Sequence, residues 1–86
     1  MKLRLTLMGR SYDASAALPA ELELTAGAHI DDALHAVAEL LPASESLSPS
    51  CLVTLNGKHL GNVGRHDNVL VADQDELVLI APVAGG

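Results

Sequence analysis

The chain has 86 residues, 5 Lys and Arg against 11 Asp and Glu, and a formal net charge of −6. That length bounds it to one domain, and the charge argues against a nucleic-acid partner, because neutralising phosphates takes clustered Lys and Arg. It has 16 Leu, 13 Ala, 7 Val and 2 Ile but only Tyr12 as an aromatic residue, so its core must be aliphatic and base-stacking platforms are missing.

A single cysteine, Cys51, excludes an internal disulfide framework and a cysteine-based zinc knuckle. No basic n-region leads into an apolar run, and no stretch approaches the roughly 18 apolar residues of a membrane span. A soluble cytoplasmic domain with no membrane partner is expected.

Lys2-Leu3-Arg4-Leu5-Thr6-Leu7 alternates strictly, which predicts a half-buried strand with Leu3, Leu5 and Leu7 toward the core. Gly9-Arg10-Ser11 begins a turn. A second alternating run over 21–25, after Pro19, predicts an antiparallel hairpin with the first. Over 30–41 the period changes. Ile30, Ala33, Leu34, Val37, Leu40 and Leu41 form one apolar helical stripe, Asp31 and Asp32 favour its first turn, His29 is a weak N-cap, and Pro42 stops it. The Ser-rich stretch 43–50 reads as loop.

Residues 51–55 form a short apolar run suited to a central strand, closed by Asn56-Gly57, both tolerant of positive φ. Residues 59–68, with Gly61 and Gly64, read as loop, 68–71 as a short strand, and 73–75 as a turn. The most β-prone run is 76–81, ending at Pro82. The order is β-β-α-β-β-β, an α+β fold with one helix on one face of a mixed sheet. If the first and last strands lie side by side, this is the ubiquitin-like β-grasp; periodicity alone does not decide that pairing. The expected organisation is one domain over 1–81 and a flexible tail over 82–86.

Conventional catalytic motifs are missing. Gly57, Gly61 and Gly64 do not make a P-loop, Lys58 lies on the wrong side of the turn, and neither GxSxG nor HExxH occurs. Asp31, Asp32 and His35 share helical spacing, but three or four protein ligands are usual for zinc. They read as a solvated face, and no metal or other cofactor is expected. His66-Asp67 resembles a general-base pair but lacks an accompanying nucleophile. Cys51 reads as a buried small hydrophobe rather than a reactive thiol.

The C-terminal run Ala81-Pro82-Val83-Ala84-Gly85-Gly86 carries the functional signal. Pro82 prevents the last strand from continuing, and two residues without Cβ atoms make a thin arm able to enter a narrow cleft on another protein. This tail, with Asp75-Glu76-Leu77-Val78 before it and the Asn56-Gly57 turn, resembles the small sulfur-carrier proteins of the ubiquitin-like β-grasp superfamily. It looks most like the molybdopterin synthase small-subunit type and less like the shorter thiamine-pathway type. Leu79-Ile80-Ala81 stand where that family often has aromatic residues and a second proline.

The resemblance implies a carrier without catalytic side chains of its own. An E1-like ATP-dependent enzyme would adenylate the Gly86 carboxylate, and a sulfur donor protein would convert it to a thiocarboxylate. The tail Pro82, Val83, Ala84, Gly85 and Gly86 would then enter a large subunit or other sulfur-acceptor enzyme, with molybdenum-cofactor synthesis the leading pathway. Another sulfur pathway such as thiamine, a ubiquitin-like protein modifier and a non-carrier interaction module are the competing readings.

The partner surface follows from alternation in the last strand. Leu77, Leu79 and Ala81 take one face and Val78, Ile80 and Pro82 the other, and both are apolar. With the helix on one face, the other leaves Val78, Ile80 and Leu52 as candidates for docking, unless residues 59–68 cover them.

Overall fold

The computed structural model describes residues 1–8, 19–41 and 49–81. Its elements are β1 (Lys2–Met8), β2 (Glu21–Glu23), α1 (Ile30–Leu40), β3 (Leu52–Leu55), β4 (Lys58–Asn62), β5 (Arg65–His66) and β6 (Glu76–Ile80). One mixed sheet takes the strands in the order β2-β1-β6-β3-β4-β5. β1 and β6 are parallel, with Leu5 opposite Leu77 and Leu7 opposite Leu79, and the other pairs are antiparallel. First and last strands side by side, with one helix over the sheet, make the ubiquitin-like β-grasp.

Alternation explains the core. Leu3, Leu5, Leu22, Val53, Leu55, Leu77 and Leu79 all point to one face, where Ile30, Ala33, Leu34 and Val37 of α1 meet them. Leu3, Leu77, Leu79, Val53, Ile30, Ala33 and Val37 have no accessible surface. Full burial of each larger aliphatic contributes about 1.5–3 kcal/mol. The weak N-cap at His29 is compensated by its neighbour: the His29 N–H donates to Asp32 Oδ2 (2.8 Å) and the Asp32 N–H to the His29 carbonyl (3.0 Å). The Asn56-Gly57 turn has φ of 52° and 83°, as a tight hairpin requires.

Three expectations need correction. Residues 59–68 are not a loop, since they supply most of β4 and all of β5. Gly61, read as a loop marker, has φ 134°, and a Cβ there would run into the Arg65 carbonyl oxygen and come within 2.8 Å of His66 Cα. This glycine permits close strand approach. A register shift between Val53 and Thr54 turns Leu60 into the core.

The expected strand over 68–71 is a single bridge, His29 to Leu70. The Val71 N–H donates to the Ala28 carbonyl and the Ile30 N–H to the Val69 carbonyl (both 3.0 Å), and pairing stops because α1 starts at Ile30. The second strand is shorter than 21–25, ending at Glu23. The turn at 9–11, most of loop 43–50 and the tail 82–86 lie outside the described residues.

The turn before β6 is tied to the start of β1. The Lys2 N–H donates to Asp73 Oδ1 and the Gln74 N–H to the Lys2 carbonyl, both at 2.7 Å. The first of these bonds, chiefly, holds the Asp73 carboxyl below its ordinary range.

Two outcomes follow. Gly61→Ala should cost about 2–4 kcal/mol in urea unfolding, combining positive-φ strain with overpacking. Gly27, at φ 90° with open space around its Cβ position, should cost about 1–2 kcal/mol as Ala; equal losses would refute the close-approach reading. Because the Asp73 pKa is depressed on folding, its contribution is present above the unfolded-state value and disappears as pH falls through the folded one. Asp73→Asn should therefore flatten the acid limb of a stability-versus-pH curve and lower stability at neutral pH.

Candidate functional site

The sheet face away from α1 is graded. Its register sets Met8 opposite Ile80, Ile80 opposite Leu52, and Leu52 opposite Asn62, a row across four strands. Met8 is 51% and Leu52 40% exposed, and Ile80 between them is half-buried. The next row is Thr6, Val78, Thr54 and His59, with Thr54 Oγ1 donating to the Val78 carbonyl (3.3 Å). Beyond it Arg4 stands between Glu21 and Glu76 on the neighbouring strands.

The face thus runs from charged to neutral to apolar along β6, and the apolar row is two residues from Pro82. Two of the four exposed large hydrophobics among the described residues flank Ile80; Leu40 and Leu70 lie elsewhere.

The structure therefore brings Val78, Ile80 and Leu52 onto one face. Residues 59–68 extend the sheet edge, with Asn62 beside Leu52 in the row. Met8 belongs to the row and was missed, although continuing the alternation of 2–7 by one step points it outward. The candidate tail residues Pro82, Val83, Ala84, Gly85 and Gly86 lie outside the described residues.

The other singled-out side chains do not assemble. His35 Nε2 pairs with Glu39 (3.0 Å), Asp32 caps α1, and Asp31 bonds His66 (2.6 Å). No group of three or more His, Cys, Asp or Glu able to hold a metal occurs among the described residues. The His66-Asp67 pair is not formed as such, because the ring is taken by Asp31 and the Asn62 carbonyl. Cys51 is 2% exposed, and burial pushes its thiol pKa up, away from the thiolate. No helix among the described residues is long and apolar enough to cross a membrane.

Architecture and register define a small ubiquitin-like β-grasp protein with an apolar outer-face row at the end where its last strand finishes. Within that class the chain belongs to the ThiS family of sulfur carriers, whose family model matches residues 5–86. It is similar to the molybdopterin synthase sulfur carrier subunit of Chlamydomonas reinhardtii, 28% identical over 86 residues and covering the whole of both chains. No solved structure matches it closely enough to count as a relative.

The burial of Cys51 has a chemical check. In the folded protein it should react with a thiol-specific alkylating reagent at neutral pH more than about tenfold slower than in urea. Equal rates would contradict the buried, un-ionised thiol.

Proposed function

We propose that this chain carries sulfur as a thiocarboxylate on Gly86 and delivers it in molybdopterin synthesis. The carboxylate oxygen attacks the α-phosphorus of ATP on an E1-like enzyme, and pyrophosphate leaves. A sulfide-level nucleophile from a sulfur donor protein then attacks the acyl carbon, and AMP leaves. The thiocarboxylate sulfur attacks an electrophilic carbon of the substrate on the acceptor enzyme and displaces an oxygen leaving group; water then attacks the acyl carbon, the acyl–sulfur bond breaks, the carboxylate is regenerated and the substrate keeps the sulfur as a thiol. Activation is needed because a carboxylate is a poor acyl donor. Tethering then raises the effective concentration of sulfur at the acceptor. All catalytic side chains belong to the partners in this reading.

The observation that carries the proposal is the apolar row Met8, Ile80 and Leu52, two residues ahead of Pro82 on a chain of the sulfur-carrier family. A partner that covers this row, with Val78 behind it, receives the tail 82–86 at its own cleft. Kinship with a molybdopterin synthase sulfur carrier subunit supports that enzyme's large subunit as the acceptor.

Intact mass spectrometry after incubation with an E1-like enzyme, ATP and a sulfur donor tests the chemistry. Replacement of one oxygen by sulfur, confined to the C-terminal peptide and absent when Gly86 is deleted, is expected. No gain with an enzyme active on another carrier would overturn the proposal, and an isopeptide adduct on other proteins would favour a modifier. Ile80→Asp should fold normally yet weaken binding to the large subunit by at least about thirtyfold, as loss of an interface anchor does. Unchanged binding would remove the row from the docking surface.

A further inference from the structure

His66 lies on the edge strand β5 with its side chain 9% exposed and both ring nitrogens engaged. Nδ1 is 2.9 Å from the Asn62 carbonyl oxygen, and Nε2 is 2.6 Å from Asp31 Oδ1 in the first turn of α1. A carbonyl oxygen and a carboxylate can only accept. A neutral imidazole has one N–H, so either neutral tautomer makes one of these bonds and turns a ring lone pair against the other oxygen. The imidazolium donates to both, and its bond to Asp31 is charge-assisted.

The surroundings hold these acceptors in place. The Asp31 N–H donates to Asn68 Oδ1 (2.9 Å), and Asn62 Oδ1 accepts the Arg65 N–H (2.7 Å). The other charges nearby are otherwise engaged or flank the ring in sequence. On α1, Asp32 accepts the His29 N–H and His35 pairs with Glu39. On β4 the ring meets the Asn62 backbone, and Gly61 lies beside the His66 Cα. Arg65 and Asp67 are its neighbours in the chain.

The element being held is thin. β5 has two residues, paired as Gly61 with His66 and Asn62 with Arg65, and the Asp67 N–H donates to the Leu60 carbonyl (3.0 Å). We propose that His66 is a proton-operated clamp joining the Asn62 carbonyl on β4 to Asp31 in the first turn of α1, holding both ends when the ring carries two protons and only one of them when it loses a proton. The clamp sits beside the apolar row, because Asn62 pairs with Leu52. The inference stands on the ring geometry and does not depend on the sulfur-carrier chemistry.

Nitrogen-15 NMR of the ring and amide hydrogen exchange on the full chain, between about pH 5.5 and about pH 8.5, test it. Where the ring signals show both nitrogens protonated, the Asp67 amide should be protected. Where they show a single ring proton, Asp67 protection, corrected for intrinsic exchange, should be about tenfold or more lower, as expected for losing a charged hydrogen bond, while the β6 amides stay protected.

Asp31→Asn can donate its amide to Nε2 of a neutral ring, so Asp67 protection in that variant should not vary with pH. A single neutral tautomer at the acid end, flat Asp67 protection in the unaltered chain, or an unchanged pH dependence in Asp31→Asn would each overturn the clamp. If the variant does not fold, the ring and amide measurements on the unaltered chain decide alone.

Discussion

Strand β6 lies between β1 and β3, paired in parallel with one and antiparallel with the other, and everything else is arranged around that double pairing. Its inward residues Leu77 and Leu79 are wholly buried, while Val78 and Ile80 face outward. A shift of one residue against either neighbour would exchange the two sets. The start of β6 is correspondingly well held. The Asn56 N–H donates to the Glu76 carbonyl (2.8 Å), the Glu76 N–H to Asn56 Oδ1 (2.9 Å), and the Asn56 side-chain amide to Asp75 Oδ1 (2.9 Å). Across the strand, the Arg4 N–H donates to the Asp75 carbonyl (2.8 Å).

That anchoring decides what the outer face presents. Since β1 and β6 run in the same direction, Met8 and Ile80 finish level, and antiparallel β3 brings Leu52 to the same level from its first residue. Three elements with unrelated local sequences therefore place aliphatic side chains in one row, just before the chain reaches Pro82. On the function proposed above, such a body would serve a carrier whose chemistry resides at its tail, since a rigid docking face would restrict where the tail can reach and share its binding energy with positioning.

The core that makes the body rigid is aliphatic among the described residues except for the small thiol of Cys51. Without aromatic rings to fill space, its packing depends on close approach. Ala33 in α1 and Gly61 in β4 are both places where a larger side chain meets neighbouring atoms or the buried sheet. Truncating a fully buried leucine such as Leu77 or Leu79 to Ala falls in the range of about 2–5 kcal/mol, a large share of what a domain this small holds.

The sequence by itself determined β1, α1, β3, β6 and the Asn56-Gly57 turn. Each is a matter of local period or of which residues tolerate positive φ, and both are properties of a few consecutive residues. It also determined that Val78 and Ile80 share a face. The tertiary structure decided the rest. Gly61 and Gly64 looked like loop markers because a glycine records that backbone freedom or close approach is needed, without saying which strand approaches. The parallel pairing of β1 with β6, the meeting of Met8, Ile80 and Leu52, and the bond between Asp31 and His66, 35 residues apart, all depend on register between distant segments. Register is chosen by which apolar faces can be buried together, and no window of local sequence contains that information.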